Sequence, residues 1–289
     1  MPRGPSLTAE AVCFFRAIET ARPEADRVLD DPYAERFLPK SWRPWVRSPV
    51  ARMVQMGFNG RLALGPGALQ GFVALRHRWM DDALVSFLAG GGEQVVVLGA
   101  GYDSRALRFA AALDGRPFYE VDFPATQRKK QALIAERVPE AKSAAIYLPI
   151  DFERESLAEG LAKAHTFEPG RKTFFVWEGV AMYLHKEAIA QTLDTVRTLG
   201  ATGSEIVCDM WSAPPGASFE ARLRRAGAAL LGTIGEPLKF SLQPDEAPAF
   251  FASHGFETAE VLDSEALAER YRLTRRKIFP DNCVVRAVV

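Results

Sequence analysis

Carboxylates recur at one kind of place in this 289-residue chain: directly after short, apolar, β-rich runs. Asp103 follows Gln94–Leu98 (QVVVL) across the turn Gly99-Ala100-Gly101-Tyr102. Asp122 closes the run PFYEV at 117–121, Asp151 follows Ala145–Ile150, and Glu178 follows Thr173–Trp177 (TFFVW). Runs of this kind are strands buried on both faces of a parallel sheet. Such a sheet takes its ligands outside the carboxyl ends of its strands, so the four acids are expected on one rim.

The residues around those acids narrow the ligand. Gly99 and Gly101 permit a tight turn and close approach of the backbone to a bound molecule. The third glycine of the dinucleotide fingerprint is missing, with Ser104 in its place, which argues against a bound pyrophosphate and hence against an NAD-dependent oxidoreductase. Asp122 stands 21 residues past Gly101, a spacing that suits hydrogen bonds to ribose hydroxyls. Asp151 is placed to accept from an adenine amino group, with Phe152 against the ring. Four like charges in one crevice repel, and a cationic, donor-rich ligand would relieve them. S-adenosylmethionine has that character: a sulfonium, an ammonium, a ribose diol and an adenine amine. Its carboxylate would need a cation, which Arg76 or Arg78 supplies unless each serves in a structural ion pair.

The elements that would hold these residues alternate in type. Ser104–Leu113, Pro124–Val138, Glu155–Ala164 and Lys186–Leu199 read as helices between the strands, and Ser204–Met210 reads as a fifth strand. Strand and helix in alternation give an α/β parallel sheet with right-handed crossovers. Phe256–Leu262 and Cys283–Val289 are candidate last strands, the late one antiparallel. Upstream, residues 8–20 and 72–88 read as helices, and a short helix YAERFL begins at Asp31 as N-cap with Pro32 at the first position. The prolines of residues 39–49 forbid a regular helix there. Residues 211–250 break the rhythm with Pro214-Pro215-Gly216 and a basic amphipathic stretch. The division expected is an N-terminal helical cap over 1–90, then a Rossmann-like domain over 91–289 with a lid inserted at about 211–250.

At this point the chain resembles a known family. The segment LRHRWMDDALVSFLAGGGEQVVVLGAGYDSRALRF, followed by FYEVDFPATQRKKQ, PIDF and FVWEGVAMYL, is similar to the leucine carboxyl methyltransferase family over residues 72–210. The resemblance implies a class I methyltransferase sheet that uses S-adenosylmethionine. It implies that Arg76 binds the methionine carboxylate and that Gly99, Ala100 and Gly101 form the turn beneath the methionine. It further implies ribose binding by Asp122 beside Phe123, adenine contact by Asp151 and Phe152, and Glu178 near the methionine amine and the reaction centre. Asp103 joins the cofactor-binding set, and Glu178, Tyr183 and Arg105 are the candidate catalytic residues, Arg105 as the cation that orients the acceptor. The sequence departs from the family at Tyr102, where leucine or methionine is commoner, and at Ser104, where threonine is commoner.

Composition excludes several other classes. Lys plus Arg equals Asp plus Glu at 36 each, and a nucleic-acid binder carries a basic excess. Cys13, Cys208 and Cys283 form no C-x-x-C pair, and His77, His165, His185 and His254 have no metal-ligand spacing, so no metal is expected. There is no apolar leader and no run of about 18 or more apolar residues, so the expectation is a soluble, cytoplasmic protein without membrane partners. A carboxylate acceptor is already ionised and needs no general base, whereas a phenol gains from one. The expected reaction is therefore O-methylation of a small-molecule carboxylate. Phenol or hydroxyl O-methylation, or methylation of a protein C-terminal carboxylate, is the alternative.

Overall fold

The computed structural model describes residues 6–49, 66–141, 144–151, 155–214, 237–272, 278–280 and 282–289, with residues 216, 218, 219, 221, 222, 225, 226, 229 and 276. Five strands run parallel: β1 (Gln94–Leu98), β2 (Phe118–Asp122), β3 (Ala145–Pro149), β4 (Thr173–Trp177) and β5 (Glu205–Trp211). Two more follow, β6 (Glu257–Asp263) and β7 (Asn282–Val288), and the order across the sheet is β3-β2-β1-β4-β5-β7-β6. β7 inserts antiparallel between β5 and β6. The chain builds outward from β1 through β2 to β3, then returns to start β4 on the other side. β1 and β4 are thus the switch point where a crevice opens beyond the strand ends.

Both faces of the sheet are buried, which is why its strands are apolar without alternation. Val96 and Leu98 point into a core shared with Ile189, Leu193 and Val196 of the helix Lys186–Leu199. Val95 and Val97 point into a second core with Phe72, Leu75, Trp79 and Phe87 of the helix Pro66–Ala89. We number the helices α1 (Leu7–Thr20), α2 (Ala34–Phe37), α3 (Arg43–Val46) and α4 (Pro66–Ala89). They continue with α5 (Arg105–Arg108), α6 (Ala110–Leu113), α7 (Pro124–Arg137), α8 (Leu157–Ala162), α9 (Lys186–Leu199), α10 (Ala247–Ser253) and α11 (Ser264–Arg270).

Three local readings change, the first within residues 39–49, where Pro44 sits in the first turn of the four-residue helix α3 instead of forbidding it. The single helix expected over 104–113 is two short turns, α5 and α6, broken where Phe109 leaves helical backbone at φ −107° and ψ 19°. α2 begins at Ala34 rather than at Pro32, because Asp31 Oδ1 accepts from both Tyr33 N and Ala34 N at 3.1 Å and closes a turn ahead of the helix. Much of the expected lid, including Pro215 and residues 230–236, lies outside the described residues. No described helix is long and apolar enough to cross a membrane.

Buried polar groups fix how the helices sit. The Glu19 carboxylate, at the end of α1, is fully buried and accepts from Gln70 Nε2 at 2.7 Å, Val28 N at 2.9 Å and Arg276 Nη1 at 2.8 Å. It ties α1 to α4 and to the segment before β7. Under the sheet rim, Lys130 of α7 pairs with Glu120 of β2, both nearly inaccessible. Burial, opposed by Lys130, pushes the Glu120 carboxyl up to about 7 from its ordinary 4.5.

A buried pair of this kind adds little net stability, yet losing one partner strands a charge. Lys130→Met is expected to cost about 3–5 kcal/mol, whereas Glu120→Leu with Lys130→Met should be neutral or stabilising by about 1–4 kcal/mol. The raised folded value also sets the pH dependence: the contribution of Glu120 is complete below 4.5 and is lost as pH rises through about 7. The double variant should therefore gain more over the parent at pH 8 than at pH 5, as read by urea denaturation. Equal loss in the single and double variants would contradict this account.

Candidate active site

A cavity of about 570 Å³ opens at the carboxyl ends of β1, β2 and β4. Its size lies within the range of roughly 300–1,000 Å³ usual for small-molecule sites. The floor is the turn after β1. Gly99 has φ +67°, and a Cβ there would stand 2.4 Å from Val180 Cγ2, so both its backbone and its surroundings require glycine. Gly101, at φ +49°, donates its N–H to Asp122 Oδ2 at 2.5 Å, and Phe123 N donates to Oδ1 at 2.6 Å. These two bonds use only part of the acceptor capacity of the carboxylate, leaving lone pairs for a diol. Burial raises the Asp122 carboxyl above its ordinary value, against the pull of the two N–H groups.

Behind the other wall lies a connected cluster of buried charges. Glu178, just past β4, is its hub. It accepts from Arg76 Nε at 3.0 Å and Arg105 Nη2 at 2.8 Å, and its Oε2 lies 2.9 Å from His77 Nδ1. Burial alone would raise the Glu178 carboxyl, but His77, Arg105 and Arg76 outweigh it and hold it well below the usual range. Arg76 Nη1 also reaches Asp209 of β5 at 2.7 Å, and Asp209 accepts from Gly179 N at 2.6 Å. The Nη2 of Arg76 faces the bare Cα of Gly179, where a Cβ would stand 3.4 Å away, and no described residue accepts from it. It is a donor directed at the cavity, suited to a ligand carboxylate.

The structure brings most of the predicted residues together. Arg76, Gly99, Ala100, Gly101, Asp103, Asp122, Phe123, Glu178 and Tyr183 all line the cavity. Asp103 also accepts from Arg105 N at 2.6 Å and pairs with that guanidinium, which, against burial, holds its carboxyl down at about 2. Arg105 does not reach the cavity: it is fully buried behind the wall, with Asp81, Asp103 and Glu178 around its guanidinium. Asp151 is half-buried beside Ile150, which lines the cavity while Asp151 does not. Phe152 lies outside the described residues. Arg78 is half exposed and paired with Asp82, away from the cavity.

Several lining residues were not singled out by sequence. α1 contributes Ala9, Val12 and Arg16, and His77 and Lys239 join the wall; His185, weighed from sequence as a substrate contact against a surface role at a helix start, lines the cavity just before α9. His77 had a readable signal, since it neighbours Arg76 and precedes Asp81 by one helical turn. Lys239 had none. It is placed by the backbone bonds of Lys239 N and Phe240 N to Met182 O, at 2.8 and 3.2 Å. Among the described residues no group of His, Cys, Asp and Glu is arranged to hold a metal ion.

Comparison with known proteins gives the same picture. The leucine carboxyl methyltransferase family profile matches residues 9–197, more than half of the chain. A protein of Frankia alni named as an S-adenosyl-L-methionine-dependent methyltransferase is 33% identical over 215 residues, covering 73% of this chain and 72% of its own. A Streptomyces avermitilis protein of the same name is 28% identical over 269 residues, covering 93% and 87%. Among solved structures, a DUF574-family protein from Streptomyces avermitilis aligns over 98% of this chain and 97% of its own, with a TM-score of 0.58 at 15% identity, a likeness of fold. The chain therefore belongs to the leucine carboxyl methyltransferase family, and with it to the S-adenosylmethionine-dependent methyltransferases.

Proposed function

We propose that S-adenosylmethionine lies in this cavity along the carboxyl edge of β2, β1 and β4, and that the enzyme methylates the oxygen of a small acidic acceptor. The observation that carries the reading is the order of groups along the wall. Asp122 and Phe123 suit the ribose, and Ile150 and Leu157 offer an apolar slot for the adenine. The glycine turn suits the methionine chain, whose carboxylate would take Arg76 Nη2 and whose amine lies toward Glu178. Past Glu178 the wall continues through Tyr183, His185 and Lys239, which is where the acceptor would enter.

Methyl transfer is an in-line displacement, so the protein chiefly has to align acceptor, methyl and sulfur and exclude water. Glu178 is poorly suited to remove a proton, being locked as a carboxylate by three neighbours. Arg105 acts on the reaction through Glu178, as a positioning residue. Lys239 supplies a cation for an ionised acceptor. His185 favours a second reading, because an imidazole in the cavity wall offers a base for a phenol.

Replacing Asp122 with Ala removes a charged acceptor for two hydroxyls. At roughly 1.5–3 kcal/mol for each bond to a charged group, affinity for S-adenosylmethionine should fall at least about tenfold by titration calorimetry. Asp122→Asn, which keeps an acceptor for Gly101 N, tells a lost ligand bond from a collapsed turn. Unchanged affinity in both variants would remove the cofactor from this edge of the sheet.

The bond made can be read directly. With a radiolabelled methyl donor and a panel of aromatic and aliphatic acids and phenols, a methyl ester should release its label as volatile methanol in mild alkali. His185→Ala should leave ester formation within about threefold of the parent. Label that survives alkali, together with a loss of roughly 10²-fold or more in His185→Ala, would replace the carboxylate reading with the phenol one.

A further inference from the structure

His77 is almost wholly buried, at 2% exposure, and its two ring nitrogens have unlike surroundings. Nδ1 faces the Glu178 carboxylate at 2.9 and 3.1 Å, with Arg105 Nη2 also 3.0 Å away. Nε2 faces Arg108 Nη2 at 2.7 Å and Arg16 Nη1 at 3.4 Å. A guanidinium only donates and one lies within reach of each nitrogen, but only Nδ1 has a carboxylate within hydrogen-bond distance; the single ring proton therefore sits on Nδ1, donated to Glu178, and Nε2 accepts. Asp81, one turn along α4, lies 4.0 Å from Nε2 and is taken up by Arg105 and Arg108. Burial and the charge of Arg105 both lower the affinity of the ring for a second proton, against Glu178 and Asp81.

A neutral His77 leaves the cluster unbalanced. The connected side chains hold four guanidiniums, those of Arg16, Arg76, Arg105 and Arg108. They also hold five carboxylates, those of Asp31, Asp81, Asp103, Glu178 and Asp209; burial raises the Asp209 carboxyl, and Arg76 with Gly179 N opposes that and holds its charge. One negative charge is in excess, buried where effective screening is weak. S-adenosylmethionine carries an ammonium, a carboxylate and a sulfonium, hence one net positive charge. S-adenosylhomocysteine has lost the sulfonium charge and is neutral overall.

We propose that His77, held neutral by the arginines at its Nε2, leaves this wall one negative charge in excess, and that the excess makes the site prefer the sulfonium cofactor over its demethylated product. The inference rests on the cofactor lying in this cavity. It assigns the buried cluster a second task beyond holding Glu178: weakening the hold on the product once the methyl group has left.

The test is the ratio of dissociation constants of S-adenosylhomocysteine and S-adenosylmethionine, measured by titration calorimetry on the full chain at neutral pH. Asp81→Asn changes the wall charge at a residue outside the cavity lining and should lower the ratio at least about tenfold, by weakening S-adenosylmethionine alone. Arg108→Gln, also outside the lining, makes the wall more negative and should raise the ratio by a similar factor. His77→Asn keeps a neutral donor beside Glu178 and should leave the ratio within about threefold of the parent. A tenfold rise in His77→Asn would mean that the parent ring is charged and would overturn the proposal. Parallel weakening of both ligands in Asp81→Asn and Arg108→Gln would reduce the cluster to a structural role and overturn it too. Both affinities unchanged in all three variants, together with unchanged affinity in Asp122→Ala, would remove the cofactor from the cavity; with Asp122 sensitive, the charge proposal alone falls.

Discussion

Charged side chains cannot be taken out of water singly, and the end of this sheet buries them in a group. Two of its buried carboxylates show this, each held by donors from distant parts of the chain. Glu178, past β4, is met by Arg76 and His77 of α4 and by Arg105 of α5. Asp31, from the loop before α2, is met by Arg16 of α1 and by Ser104 Oγ at 2.9 and 2.8 Å. An uncompensated charge in such a place is strongly destabilising, so each segment depends on the others for its own burial. The wall of the cavity is therefore held in place by its own ion pairs and hydrogen bonds, which suits a site that aligns three atoms.

The glycine turn works with that wall by contrast. At Gly99 and Gly101 the chain gives up side chains altogether, and the backbone itself becomes the floor of the cavity. Asp122 shapes the turn through Gly101 N while keeping acceptor capacity on the cavity side. One residue thus sets the height of the floor and presents its spare acceptor sites to the cavity.

Toward the proposed acceptor end the character of the cavity changes. Lys239 and His185 are exposed rather than buried, and Lys239 reaches its position through two backbone bonds to the turn at Met182. Solvent-exposed cations are weakly constrained by their surroundings. A family with a common cofactor and many acceptors would keep the buried cluster and vary this end, since changes here do not strand a buried charge.

The strands were legible from sequence because a parallel sheet buried on both faces writes itself as short apolar runs, and β1 and β4 fall where those runs stand. Asp122 and Glu178 were legible for a related reason, since a residue at or directly after the end of a buried strand has its place fixed by the strand, whereas Asp151 does not line the cavity. Arg76 entered together with Arg78 as a cation ahead of the first strand, and the family resemblance singled it out of the two. What sequence could not contain was the partnership of residues far apart in the chain. Arg105 follows the glycine turn and reads as a cation facing the ligand, yet tertiary packing turns it away, because Asp81, Asp103 and Glu178 together satisfy its donors better than the cavity would. Arg16 gives no signal of a shared site until α1 and α4 pack together, and the spacing of His77 from Asp81 does not reveal its contact with Arg16. Spacing fixes which residues share a face of one element, whereas the pairing of buried charges is decided by which elements meet, and that is settled only when the whole chain folds.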